Sequence, residues 1–142
     1  MSPHSMFSQT ARHILMQELG LEGPSHQMAL EVCVVYGKFL APLSVILGEE
    51  GGLALFRYSL RRTQSAFPFY AEVLAGEPRT VLDALGACLE KQKPACIVDA
   101  SIALLTSFLD LLTTFIGARL TGKLLHDVWP DIDPVLSQEI PK

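Results

Sequence analysis

The chain has 142 residues, 49% of them hydrophobic and only 18% charged, with a formal net charge of −4. That length amounts to one domain with a sizeable core, and the acidic balance excludes general nucleic-acid binding, which needs a positive field to attract phosphates. With charge well below the roughly one quarter of an average soluble domain, the surplus apolar surface must go into a helical core, a subunit interface, a ligand cavity or lipid.

Residues 1–7 carry no pattern and are expected to be loose. From Gln9 to Leu19, Ile14, Leu15 and Leu19 share a face, which predicts a first helix stopped by Gly20. Ser25 is the expected N-cap of a second helix reaching Leu47, with a kink or break at Pro42 because proline removes a backbone donor and crowds the preceding turn. Gly48 and the pair Gly51-Gly52 mark the next junction, and a third helix is expected from Leu53 to Ala66, closed by Phe67-Pro68. FPFYAEVLAGEP reads as a short helical turn plus a loop. Thr80 caps a fourth helix over VLDALGACLEK. Pro94 suits the first turn of a fifth helix running to Gly117, since its missing N–H has no helical partner there. A sixth passes through LTGKLLHDVW to Pro130, leaving 131–142 as a tail. No alternating strand pattern of useful length occurs. The expected fold is therefore a single all-α domain over 1–142, a bundle of five or six helices.

Part of the chain is written twice. At an offset of 69, the window from Phe39 to Leu60 matches that from Phe108 to Trp129 at Phe39/Phe108, Leu40/Leu109, Leu43/Leu112, Gly48/Gly117 and Leu55/Leu124. Each half, around 25–67 and 94–129, reads as a long helix, a glycine break and an amphipathic helix. An internal duplication with pseudo-twofold packing is one explanation; the tendency of any two amphipathic helices with glycine hinges to look alike is the other. Gly48 and Gly117 are the expected hinges, in equivalent places.

The string IGARLTGKLLHDVW resembles an I-G-x-x-L-T-x-x-L-L-x-x-x-W segment of small, uncharacterised bacterial all-helical proteins. ILGEEGGLALFRYSL and the following FPFY resemble a second segment of the same proteins. The resemblance covers under a third of the chain. It implies an all-helical fold and carries no activity.

Little in the chain spells chemistry. His4, His13, His26 and His126 lie at no metal-ligand spacing, and there is no nucleophile elbow, phosphate loop or dinucleotide fingerprint. No cofactor is implied. Cys33 reads as a small core residue. Cys88 and Cys96 flank one loop, but an odd cysteine count and the lack of an export signal in MSPHSMFSQTARHILM favour free thiols and a cytoplasmic location. ASIALLTSFLDLLTTFIG is long enough to span a bilayer, yet Asp110 at its centre would cost roughly 2.5 to 3.5 kcal/mol, so buried soluble helices are expected rather than membrane contact.

Three features remain. Arg57, Arg61 and Arg62 form the one concentrated basic patch, suited to an anion or an acidic partner surface or simply to a solvated helix face. On the fifth helix, Asp99, Ala103, Thr106, Asp110, Thr113 and Gly117 make a small or polar stripe opposite a broad apolar one, expected to be solvated or packed closely on a neighbouring helix. Trp129, the only tryptophan, shares a face with Leu125 and Leu124 and is the expected anchor of the last helix, within its own bundle or across an interface. The reading is a non-enzymatic interaction or regulatory protein acting as a homodimer. A binder of a small apolar ligand in an interhelical cavity is the alternative. An active site assembled from scattered residues would leave no local motif, so catalysis stays open.

Overall fold

In the computed structural model, residues 7–19 and 23–129 are described. The expected tail 131–142 and the helix stops Gly20 and Pro130 lie outside them, as does all of 1–7 except Phe7. Phe7 is fully buried, not loose, because its ring caps the core at the start of the first helix.

Among the described residues every regular element is helical. Helix α1 (Ser8–Glu18) buries Ala11, Ile14 and Leu15, the three- and four-residue spacing of an amphipathic helix. Helix α2 (Ser25–Leu47) runs through Pro42, so no break occurs there; packing against neighbouring helices on several sides holds it in place. Ser25 is its first residue rather than its cap, and the Ser25 hydroxyl donates to the Gln92 carbonyl at 2.6 Å. Helix α3 (Glu49–Thr63) starts four residues earlier than expected, since Gly48 alone makes the turn and Gly51 and Gly52 fall inside the helix. Gly51 has a packing reason to be glycine: a Cβ there would lie 3.2 Å from the Leu47 Cβ.

Helix α4 (Tyr70–Leu74) corrects the expected number of helices from five or six to seven. It is the short helical turn expected in FPFYAEVLAGEP, left out of the expected count because five residues give no periodicity. What holds it is tertiary: Tyr70 and Val73 are fully buried, and the Tyr70 hydroxyl donates to the Ala100 carbonyl at 2.7 Å. A 3-10 turn (Pro78–Thr80) then leads into α5 (Val81–Leu89), with Thr80 at the N-cap position. Helix α6 (Pro94–Ile116) is the most buried, and α7 (Ala118–Val128) ends at Trp129.

The two glycine junctions have closely matching backbones. Both α2 and α6 are 23 residues long. Gly48 has φ 82° and ψ 159°, Gly117 φ 92° and ψ 156°, and these are the only positive-φ residues described. With ψ extended, this is not the left-handed helical region but one open essentially to glycine alone. Each glycine N–H closes the preceding helix on a hydroxyl residue's carbonyl, Ser44 or Thr113, at 2.8 Å, and each glycine carbonyl opens the next helix. Helices α3 and α7 each pack on both long helices, while α1 lies on α6 and α5 on α2.

The core is threaded by aromatic rings. Tyr36 meets Phe56 at 5.1 Å between centroids, Phe56 meets Phe108 at 5.6 Å, Phe108 meets Phe39 at 5.7 Å and Phe39 stacks on Trp129 at 6.2 Å. Such pairs contribute about 0.5 to 1.5 kcal/mol each beyond their area burial, and here they join α2, α3, α6 and the end of α7.

Candidate functional site

Two kinds of surface stand out: an apolar face that no other described residues cover, and concavities that carry charge. The apolar face is centred on α2. Leu30 and Val34 are 50% and 54% exposed, Val45 is 85% exposed, and with Ala41 they fall within one narrow stripe of the helix. From Leu30 to Val45 that stripe runs about 22 Å at 1.5 Å per residue. Lys38 breaks it once, and its ammonium is drawn to Glu18 at 3.0 Å. Only 33% of the most apolar stretch of α2 is buried, against 56% for α6. Both helices are long and apolar enough to cross a membrane, yet α6 is mostly core whereas α2 keeps its apolar side outward.

Beyond the end of α2 lies an open apolar groove of about 440 Å³, lined by Leu47, Gly51, Ala54, Leu55, Tyr58 and Phe115. Tyr58 is 47% and Phe115 64% exposed, and Ile46 is half exposed beside Leu47 in the chain. Burying a large apolar side chain stabilises by about 1.5 to 3 kcal/mol, so leaving six of them in water forgoes a substantial sum.

The sequence-derived candidates separate in space. Arg57 donates from Nη1 to the Gly76 carbonyl at 3.3 Å and from Nη2 to the Leu74 carbonyl at 3.2 Å. It thereby satisfies carbonyls left free at the end of α4. Arg62 points into a different concavity, between α1, α3 and α6, while Arg61 is exposed on the same helix. The three arginines thus do not share one concavity. The small and polar stripe of α6 forms part of that same concavity, because α1 and α3 stand on either side of it without closing over it. The two-faced pattern of α6 was legible in sequence, and of the two outcomes expected for its polar face, solvated or packed, the open one holds from Asp99 to Asp110.

Trp129 is 3% exposed, and its contacts lie within its own chain. Its indole N–H donates to Glu18 Oε2 at 3.3 Å, while Glu18 Oε1 accepts from Lys38 at 3.0 Å. One carboxylate thus ties α1, α2 and the end of α7 together.

The thiols are free, and those of Cys33 and Cys88 are poorly suited to nucleophilic work. Burial first, and then the Asp83 charge, push Cys33 up to about 11; burial and Glu72 push Cys88 up to about 11. At neutral pH both stay protonated, and the thiolate is the reactive form. Each donates weakly to a carbonyl, Cys33 to Leu82 and Cys88 to Phe69, both at 3.3 Å. Burial likewise drives the Tyr36 and Tyr70 phenols upward. His26 is drawn to Glu90 at 2.8 Å on the surface, and no group of three metal-capable side chains occurs among the described residues.

No family model matches this chain, and no match was found among curated proteins or solved structures.

Proposed function

We propose that this chain is a non-enzymatic interaction or regulatory protein that acts as a cytoplasmic homodimer, its partner copy seated on the outer face of α2 and the neighbouring apolar groove. The observation that carries this reading is the exposed apolar stripe Leu30, Val34, Ala41 and Val45 on a helix whose other sides are packed. A contiguous exposed apolar surface on a soluble chain is the ordinary mark of an interaction site. A twofold interface places the same patch on both copies, and a self-complementary stripe of small and branched side chains suits that geometry.

The two helix–glycine–helix segments fit an internal duplication. In its favour stand the matched glycine dihedrals, the equal lengths of α2 and α6, and the reciprocal packing of α3 on α6 and α7 on α2. The duplication would extend to α1 and α5, each packed on the long helix of the other half.

Sedimentation velocity across micromolar concentrations is the test. The wild type is expected as a dimer, and Val34→Glu with Val45→Glu is expected to give a folded monomer with unchanged helicity. A wild-type monomer at those concentrations would count heavily against the reading, and recovery in the membrane fraction would point to lipid against α2 instead. A second reading keeps the groove at Leu47, Leu55, Tyr58 and Phe115 for a small apolar ligand, since its volume of about 440 Å³ is within the range of small-molecule sites. Co-purified ligand visible by native mass spectrometry, lost on Phe115→Asp, would favour it.

A further inference from the structure

The open concavity between α1, α3 and α6 has the composition of a binding site. Its volume is about 600 Å³, and its lining includes Ser8, Arg12, Arg62, Asp99, Thr106 and Ser107. Arg12 and Arg62 come from different helices, and neither guanidinium has an ion-pair or hydrogen-bond partner among the described residues; Asp99, on α6, has none either. Thr63, by contrast, spends its hydroxyl on the Ser59 and Leu60 carbonyls of its own helix.

Ser107 supplies the independent sign. It is 9% exposed, and its buried hydroxyl has no hydrogen-bond partner, although it lines the groove. Buried polar groups are nearly always satisfied, and one that is not calls for an explanation. A serine in a helix can usually turn its hydroxyl back to a carbonyl one turn earlier, as Ser59 does to Leu55 at 3.0 Å. Ser107 does not.

The charges select the ligand. A simple anion would meet Asp99 and Asp110 in the same groove, and a simple cation would meet two guanidinium groups; like charges at close range are disfavoured. A molecule carrying both signs avoids either conflict. We propose that this groove binds a small zwitterion bearing an ammonium and a carboxylate, as in a free amino acid or a short peptide. The carboxylate is received by Arg12 and Arg62, whose planar forks match it, the ammonium lies on Asp99, and the Ser107 hydroxyl gains the partner it lacks. The floor from Asp99 to Asp110 is about 16 Å long at 1.5 Å per residue, room enough for either source.

Isothermal titration calorimetry on the full chain tests this, with each proteinogenic amino acid, with glycyl and alanyl di- and tripeptides, and with inorganic phosphate and putrescine as single-sign probes. At least one zwitterion is expected to bind at millimolar concentration or below, amino acids and peptides distinguishing the two sources. Arg62→Ala and Asp99→Asn are each expected to weaken it by about tenfold, the scale of one charge-assisted hydrogen bond, with unchanged thermal unfolding because both side chains are exposed. Ser107→Ala should weaken it further. The proposal fails if no zwitterion binds, if phosphate or putrescine binds as tightly, or if binding ignores both Arg62→Ala and Asp99→Asn.

Discussion

Phe39 of α2 and Phe108 of α6, 69 residues apart, meet edge to face with ring centroids 5.7 Å apart and planes at 82°. Both are fully buried. They hold matching positions in the two glycine-hinged segments, so the contact joins one long helix to the other at corresponding points.

Phe39→Ala and Phe108→Ala should each destabilise by about 3 to 5 kcal/mol, the range for a large buried ring. Because the rings touch, the double substitution should cost less than the two single losses together, by about 0.5 to 1.5 kcal/mol. Urea unfolding of the three variants measures this. Strict additivity would mean that the edge-to-face contact adds nothing beyond burial.

Gly48 and Gly117 offer a test of backbone strain without steric confusion. A Cβ built on either meets nothing within 4 Å, so any penalty for alanine comes from the dihedrals alone. Gly48→Ala and Gly117→Ala are expected to cost about 1 to 3 kcal/mol each. A D-alanine introduced by chemical ligation should restore or exceed wild-type stability, since positive φ suits its opposite chirality. Equal stability of the L and D forms would refute the strain.

Trp129 should emit as a buried indole, blue-shifted and poorly quenched by acrylamide. Its contacts are to Phe39 and Glu18 of its own chain, so dilution should leave the emission in place even where it changes the oligomeric state. Trp129→Ala should cost about 3 to 5 kcal/mol. An emission maximum like that of free indole would show that the ring is not seated as described.

Stability should fall in mild alkali. The Cys33 and Cys88 thiols ordinarily titrate at 9.0 and are pushed up to about 11 in the fold. Above pH 9 the unfolded chain releases protons that the folded chain retains, so unfolding becomes progressively easier until about pH 11. Below pH 9 these groups contribute no pH dependence. The urea midpoint of the wild type should therefore decline across that window, and the double variant Cys33→Ala with Cys88→Ala should decline less. Tyr36 and Tyr70, also raised by burial, leave some of the slope in place.

Periodicity carried most of the fold. The apolar spacing of Ile14, Leu15 and Leu19, the proline at position 94 and the two glycine hinges place α1, α6 and the junctions close to where they lie. At Pro42 a break, one of the two outcomes expected there, does not occur, because packing holds α2 together through the missing N–H. The short helical turn in FPFYAEVLAGEP was legible, but not that Tyr70 and Val73 face inward, because five residues have no period and what fixes them is a hydroxyl reaching the Ala100 carbonyl. The site was less legible. Spacing put Arg57, Arg61 and Arg62 together, yet Arg57 turns to backbone carbonyls and Arg62 to a groove with Arg12, fifty residues earlier in the chain. Ser107 had no sequence signal at all, since an unmet hydroxyl exists only once its neighbours are in place.

The bond from the Trp129 indole to Glu18 spans 111 residues of sequence, and it bears on how the protein is made. On a ribosome the amino-terminal helices emerge first, but the ring that covers Phe39 and the donor that meets Glu18 are among the last described residues to be synthesised. A nascent chain short of residue 129 leaves the Phe39 face of α2 uncovered while the stripe on its other side is already bare. During translation that helix is therefore apolar on two faces at once, a state in which exposed surface invites aggregation. Contacts so distant in sequence also form slowly, and termination before residue 129 should yield a sticky product, prone to chaperone capture, rather than a shortened but serviceable one.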